Sequence, residues 1–166
     1  MIVVSDTSPL RYLILVDHAH LIEEIFGHVL VPSAVEQELT DPSTPQEVRR
    51  WMSQRPSWIE VRSTRNPDLE LLRQLDRGEA EAVQLAIDLK ADMPLIDEFR
   101  GRNVAASCGV TVIGVLGILL ESYRRLRIEN PLEVLARLRA IRFRLSLRLL
   151  HEFEEQVGLI GRSHEG

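Results

Sequence analysis

The chain predicts an α/β domain, with a mainly parallel sheet covered by helices and a helical C-terminus. Three observations predict it. Short apolar runs rich in β-branched residues alternate with segments of helical periodicity. That alternation is the mark of strands joined by helical crossovers, with helices on both faces of the sheet. From "VLGILLESYRR" onward the pattern is helical to the end, with Pro131 separating segments. A length of 166 residues is expected to form one domain spanning 1–166. Its core is expected over about 1–120, with a helical extension over about 121–160.

The elements follow in order. "MIVVSD" reads as a short buried strand. "TSPLRYLILVDHA" reads as a helix, with Ser8 as N-cap and Pro9 at its first position. "HVLVP" is a second strand and "SAVEQELTD" a short helix capped by Ser33. "TPQEVRRWMSQRP" is a polar helix closed by Pro56, and "WIEVRS" alternates like a half-exposed strand. Asn66 and Pro67 open a helix, "DLELLRQL". "GEAEAVQLAIDLK" is the next helix, "MPLID" a strand, "RGRNVAASCG" a helix ended by Gly109, and "VTVIG" the last strand.

Composition narrows the chemistry. Cys108 is the only cysteine, so an internal disulfide and a multi-thiolate zinc site are excluded. The histidines at 18, 20, 28, 151 and 164 form no HExxH pair. Met1 leads into "IVVSD" without a basic n-region, and no apolar run is long enough to span a bilayer. The cytoplasm is the expected compartment, with no membrane partner. A net charge of −5 argues against unaided nucleic-acid binding over the whole surface. Yet Arg137, Arg139, Arg142, Arg144 and Arg148 crowd one C-terminal stretch, either as a solvated face or as a partner surface.

In an open parallel sheet, ligands bind beyond the carboxyl ends of the strands. "MIVV" ends in Ser5-Asp6 and "MPLI" ends in Asp97-Glu98, so two apolar strands deliver acids to one edge. Asp97 also suits a helix N-cap. Helical wheels add two more carboxylates. In "SAVEQEL", Glu38 falls between Ala34 and Val35, while Glu36 falls on the solvent side. In "GEAEAVQLA", Glu79 shares a face with Val83 and Ala86, and Glu81 falls opposite with Gln84 and Asp88. "DRGE" also fits a capping box between Asp76 and Glu79.

Asp6, Glu38, Glu79 and Asp97 are thus the candidate site. Four unpaired carboxylates repel one another and would take up protons. A divalent cation resolves this, and an all-oxygen donor set suits Mg²⁺ or Mn²⁺. Such a carboxylate cage with open water positions is equipped for metal-assisted phosphodiester hydrolysis.

Four motifs occur in order: "VVSDTSPL", "VPSAVEQEL", "GEAEAVQLA" and "LIDEFRGRNVA". Together they resemble a PIN domain, and more narrowly the VapC-like toxin ribonucleases. The chain is most similar to a PIN-like subgroup that shares "SDTSPL", "GEAEA" and an "RGR" after the acidic pair. The resemblance covers residues 1 to about 120 well. It implies a three-layer α/β sandwich and a Mg²⁺- or Mn²⁺-dependent endonuclease for single-stranded RNA. It implies Asp6, Glu38, Glu79 and Asp97 as the acidic centre, with Asp6, Glu79 and Asp97 as metal ligands. Glu79 stands where the family usually has aspartate. Glu98 can assist or replace Asp97. Thr7 and Ser8 match polar residues that order the family's site. In the implied mechanism, Glu38 or Asp97 orients the attacking water and the 3′-oxygen leaves, giving a 5′-phosphate. Arg100 and Arg102, directly after the acidic pair, are candidate phosphate donors or plain surface arginines.

Two rival readings stand beside this one. A haloacid-dehalogenase-like phosphatase also uses an aspartate at the first strand end, but it needs a second aspartate where Ser8 stands. A non-catalytic PIN-like module would bind only a metal or partner. The segment "EVLARLRAIRFRLSLRLLHEFEEQ" is apolar and arginine-rich. Leu135, Leu138, Leu145, Leu149 and Leu150 require burial. Leu149 and Phe153 are spaced for one helical face, with Arg144 and Arg148 on another. A homodimer is expected, with RNA or an acidic antitoxin segment meeting the arginines.

Overall fold

A computed structural model describes residues 1–166. Two strands are regular: β1 (Val29–Pro32) and β2 (Ile59–Arg62), paired in parallel with Val29 opposite Ile59. Three further segments join by single parallel bridges: Val4 beside Leu30, Ser5 beside Leu95, and Leu95 beside Ile113. Across the sheet the chain order is therefore third, second, first, fourth, fifth. This doubly wound order opens a crevice where it reverses, between the carboxyl ends of the first and fourth segments.

The sheet is smaller than the sequence predicts. "MIVVSD", "MPLID" and "VTVIG" pair over single bridges rather than as full strands. Ladder bonds remain, from the Ser5 amide to the Leu30 carbonyl at 2.9 Å and from the Asp6 amide to the Leu95 carbonyl at 3.0 Å. Pro94 has no N–H to extend its ladder, and the chain turns toward helices soon after Asp97 and Gly114.

Ten helices surround this sheet. They are α1 (Thr7–Leu15), α2 (His20–Phe26), α3 (Ser33–Thr40), α4 (Gln46–Ser53), α5 (Leu69–Gln74), α6 (Arg77–Leu89), α7 (Phe99–Ser107), α8 (Val115–Arg124), α9 (Pro131–Ala140) and α10 (Leu147–Glu165). Several starts differ from expectation. α1 begins at Thr7, so Asp6 and not Ser8 holds the N-cap position, and Pro9 sits within the first turn. Proline is tolerated there because the first-turn amides lack intrahelical acceptors. α3 begins at Ser33 itself, with Pro32 at the cap position. α5 begins at Leu69, two residues beyond Pro67.

The main core runs from Val3 to Phe153. It takes Leu10 and Leu13 from α1, Ile118 and Leu119 from α8, and Leu135 and Leu138 from α9. The C-terminal helices are therefore walls of the core. Each such leucine contributes roughly 1.5–3 kcal/mol by leaving water. Two smaller clusters enclose α6. Ala80 and Val83 pack on Ile96 and Val104, while Ala82, Leu85 and Ala86 pack on Val4 and Leu30. No helix is long and apolar enough to cross a membrane.

The C-terminal stretch is not one helix. The 141–146 turn separates α9 from α10, so Arg144 precedes α10 and shares no helical face with Arg148. Arg148 instead pairs with Glu152 at 2.9 Å. Leu149 does not find the expected burial, being 46% exposed, whereas Phe153 on the same helix is buried.

Candidate active site

The crevice between the first and fourth segments holds the acids. Asp6 ends the first segment and is 2% exposed. It occupies the N-cap position of α1 but makes no side-chain capping bond, and its Oδ1 has no hydrogen-bond partner. Burial pushes its carboxyl well above the usual aspartate range, the Thr7 amide opposes this, and the nearby Glu79, Asp76 and Glu38 push further.

Glu38 comes from α3, which the β1 crossover lays beside α6. Its Oε2 accepts from the Thr7 hydroxyl, a short bond that ties α3 to the start of α1. On its other side lies Gly78, where any Cβ would collide with the Glu38 carboxylate. A side chain at 78 would therefore displace the Glu38 carboxylate from this position. Burial raises the Glu38 carboxyl too, against the Thr7 hydrogen bond.

Glu79 lies in the first turn of α6 and is 8% exposed. The capping box forms as the spacing predicts. The Glu79 amide donates to Asp76 Oδ1 at 2.9 Å, and the Asp76 amide donates to Glu79 Oε2 at 3.2 Å. The other oxygen, Oε1, lies against Gly101, where a Cβ would stand 3.3 Å from it. One glutamate thus serves the cap and the crevice together. Burial raises its carboxyl, with Asp76, Glu98 and Glu38 adding repulsion.

Asp97 behaves differently. Both its oxygens accept from the Val115 amide, at 3.1 and 3.3 Å, at the start of α8. Gly114 is pressed against it, and Arg102 approaches the same spot while donating to the Ile96 carbonyl at 3.1 Å. Burial pushes Asp97 up to about 6, partly offset by the Val115 amide and by Arg102. Its charged neighbours are Arg102 and Glu98. The structure thus brings Asp6, Glu38 and Glu79 into mutual influence, with Asp97 at the rim and occupied in holding a helix.

Two acids beyond the expected four belong to this cluster. Asp76 influences Asp6, Glu38 and Glu79, and exposed Glu98 influences Glu79 and Asp97. Ser8 donates to Glu98 at 3.3 Å. The "DRGE" box named Asp76 only as a cap, and the sequence offered Glu98 only as a stand-in for Asp97. Arg100 is exposed and reaches the Gln74 carbonyl at 3.4 Å, while Arg102 braces Asp97 and Ile96.

The placement of Glu81 is a correction. It does not face solvent; it is 6% exposed, with Gln84 beside it fully buried. Its Oε2 accepts from the Ala34 amide at 3.0 Å and its Oε1 from Arg77 at 2.8 Å. It therefore caps α3 from α6, the task expected of Ser33. The wheel misplaced it because α6 is packed on several sides, by α3, α5, α7 and β1.

The donor set suits a hard divalent cation. It is all carboxylate, and the buried Asp6 Oδ1 is left without a partner. No three acidic, histidine or cysteine side chains are gathered into a ready coordination shell, so an ion held by these acids would need water among its ligands.

A family model described as a PIN domain, DUF3368, matches residues 2–159. No curated protein and no solved structure matches the chain. The chain belongs to the PIN domain family, whose members are in general nucleases that use divalent metal ions.

Proposed function

We propose that this PIN domain is a divalent-metal-dependent endoribonuclease for single-stranded RNA, and the toxin of a VapC-like toxin–antitoxin pair. One observation carries the nuclease reading: a buried aspartate, Asp6, with an unpartnered oxygen, repelled by Glu38 and Glu79 in the crevice of a doubly wound sheet. Such an arrangement costs stability unless a cation neutralises it.

Asp6 and Glu79 would hold Mg²⁺ or Mn²⁺, with Asp97 or the adjacent Glu98 completing the protein's share. The bound ion supplies Lewis acidity at the scissile phosphate and a more acidic water. Glu38, steadied by Thr7, orients the attacking water and accepts its proton. Attack in line on phosphorus forms the new P–O bond, and the bond to the 3′-oxygen breaks, leaving a 5′-phosphate and a 3′-hydroxyl whose proton comes from solvent water. The capping box holds Glu79 in register, and burial limits solvent around Asp6. Thr7 and Ser8 order the acids, while Arg100 and Arg102 stand at the substrate side.

The proposal extends to a homodimer in the cytoplasm whose partners are RNA and a cognate antitoxin. The non-catalytic reading is favoured by one observation, the commitment of Asp97 to α8. Incubation with single-stranded RNA in Mg²⁺, Mn²⁺ or EDTA separates the two. Cleavage only with metal, lost in Asp6→Asn, supports the nuclease; no cleavage under any condition supports the binding module. Light scattering tests the dimer, and a single-chain mass would remove it.

A further inference from the structure

Beside the acid crevice lies a groove of about 780 Å³ that the motifs do not announce. Asp97 and Glu98 form the end it shares with the acids. Its opposite wall is the 141–146 turn, which presents Arg142, Phe143 and Arg144. Phe143 is buried and meets the Tyr12 ring edge-on at 5.0 Å. Anchoring the middle residue places the two flanking arginines on the groove's lining.

These arginines differ from their neighbours. Arg124 and Arg125 pair with Glu121, and Arg148 pairs with Glu152. Arg142 and Arg144 are exposed and make no ion pair or side-chain hydrogen bond within the chain. Arg142 also holds φ at 70°, a left-handed conformation uncommon for a residue with a side chain. Phe99, at the start of α7, lines the same groove and is 79% exposed. On a chain of net charge −5, the groove sets Arg102, Arg142 and Arg144 against Asp97 and Glu98, with Arg142 and Arg144 giving the 141–146 side a local positive charge. Arginines without partners beside an open aromatic ring match the needs of a single strand: donors for phosphates and a face for a base.

We infer that this groove is the track along which single-stranded RNA reaches the acids, with Arg142 and Arg144 holding successive phosphates and Phe99 stacking on a base. The inference rests on the nuclease reading for its substrate, and its test is separable from that reading. The groove reaches Asp97 and Glu98, and Glu98 in turn acts on Glu79, so a strand held there ends beside the acid crevice.

The test measures binding of a short fluorescein-labelled single-stranded RNA by anisotropy, in the Asp6→Asn background so that the probe survives. Arg142→Ala with Arg144→Ala should weaken binding by roughly a hundredfold, about tenfold per arginine. The slope of log affinity against log salt should shrink by about 1.4, or ~0.7 per phosphate lost. Phe99→Ala should weaken binding by about tenfold with the slope unchanged, because stacking releases no counterions. Arg142→Gly with Arg144→Ala, which accepts the left-handed backbone, should match the double alanine variant. Arg162→Ala, on an exposed position of α10 outside the groove, is the control.

Wild-type affinity and slope in both double variants would overturn the inference. An acidic peptide or a second copy of the chain as occupant would give that result. If wild-type protein still cleaves RNA, the nuclease reading survives that failure. If it cleaves nothing while the variants lose binding, the groove stands and the nuclease reading falls.

Discussion

Two strand ends carry the same signal in the sequence and do different work in the fold. "MIVVSD" and "MPLID" each run from apolar residues into an aspartate. Both aspartates come to lie near a helix N-terminus. Asp6 leaves its Oδ1 without a partner, whereas Asp97 gives both oxygens to the Val115 amide. Burial raises both, but Asp6 faces three like charges and Asp97 is eased by Arg102. An unsatisfied buried carboxylate has an oxygen free for a ligand; a satisfied one is committed to architecture.

The largest expected effect breaks this comparison in activity. Asp6→Asn should lower metal-dependent RNA cleavage by at least about a hundredfold, and Asp97→Asn by less than about tenfold. Initial rates in Mn²⁺ decide it, and equal losses would make the two ends equivalent. Without metal, Asp6→Asn should melt no lower than the wild type, since it removes charge from a repelling cluster.

Metal itself sharpens the contrast. A hundredfold excess of Mn²⁺ over its dissociation constant should stabilise the wild type by about 2.7 kcal/mol, and Asp6→Asn far less. Paired thermal melts in Mn²⁺ and EDTA measure this. Equal shifts in both proteins would place the ion away from Asp6.

A parallel contrast lies within "GEAEA". Glu81→Ala should cost about 1–3 kcal/mol in urea unfolding, because it strips the Ala34 amide of its partner. Cleavage well below the melting temperature should be nearly unchanged. A variant that loses cleavage while keeping its stability would return Glu81 to the active site.

The pH dependence of the apo protein gives a graded effect. Below its ordinary value of 3.8, Asp97 is protonated whether the chain is folded or not. Between there and about 6 the folded chain keeps a proton that the unfolded chain has lost. Stability therefore falls as pH rises through that window, and the penalty is complete above it. Asp97→Asn should flatten that part of the stability curve, since it keeps an acceptor for Val115 without the charge. An unchanged curve would assign the slope to Asp6, Glu38 and Glu79. The smallest effect is expected for Ser8→Ala, within about 0.5 kcal/mol, because its bond to Glu98 is long and exposed.

Much of this was legible in the sequence. Its spacing with Val83 and Ala86 places Glu79 inward, and "DRGE" alone gives the Asp76–Glu79 box, both as the structure has them. Both depend on residues within two helix turns. Glu81 was missed because its partner, Ala34, is 47 residues away. Arg142 and Arg144 looked like part of a helical arginine face, and only the break before Ser146 turned them to the groove.

The sequence by itself determined the alternation of strand and helix, the acids at the two strand ends, and the capping box between Asp76 and Glu79. Each follows from local periodicity, local capping or the chemistry of a residue type. Only the tertiary structure decided which carboxylates are free and which are spent. Whether a buried oxygen finds a donor depends on amides brought from distant segments: Val115 for Asp97, Ala34 for Glu81, and none for Asp6 Oδ1.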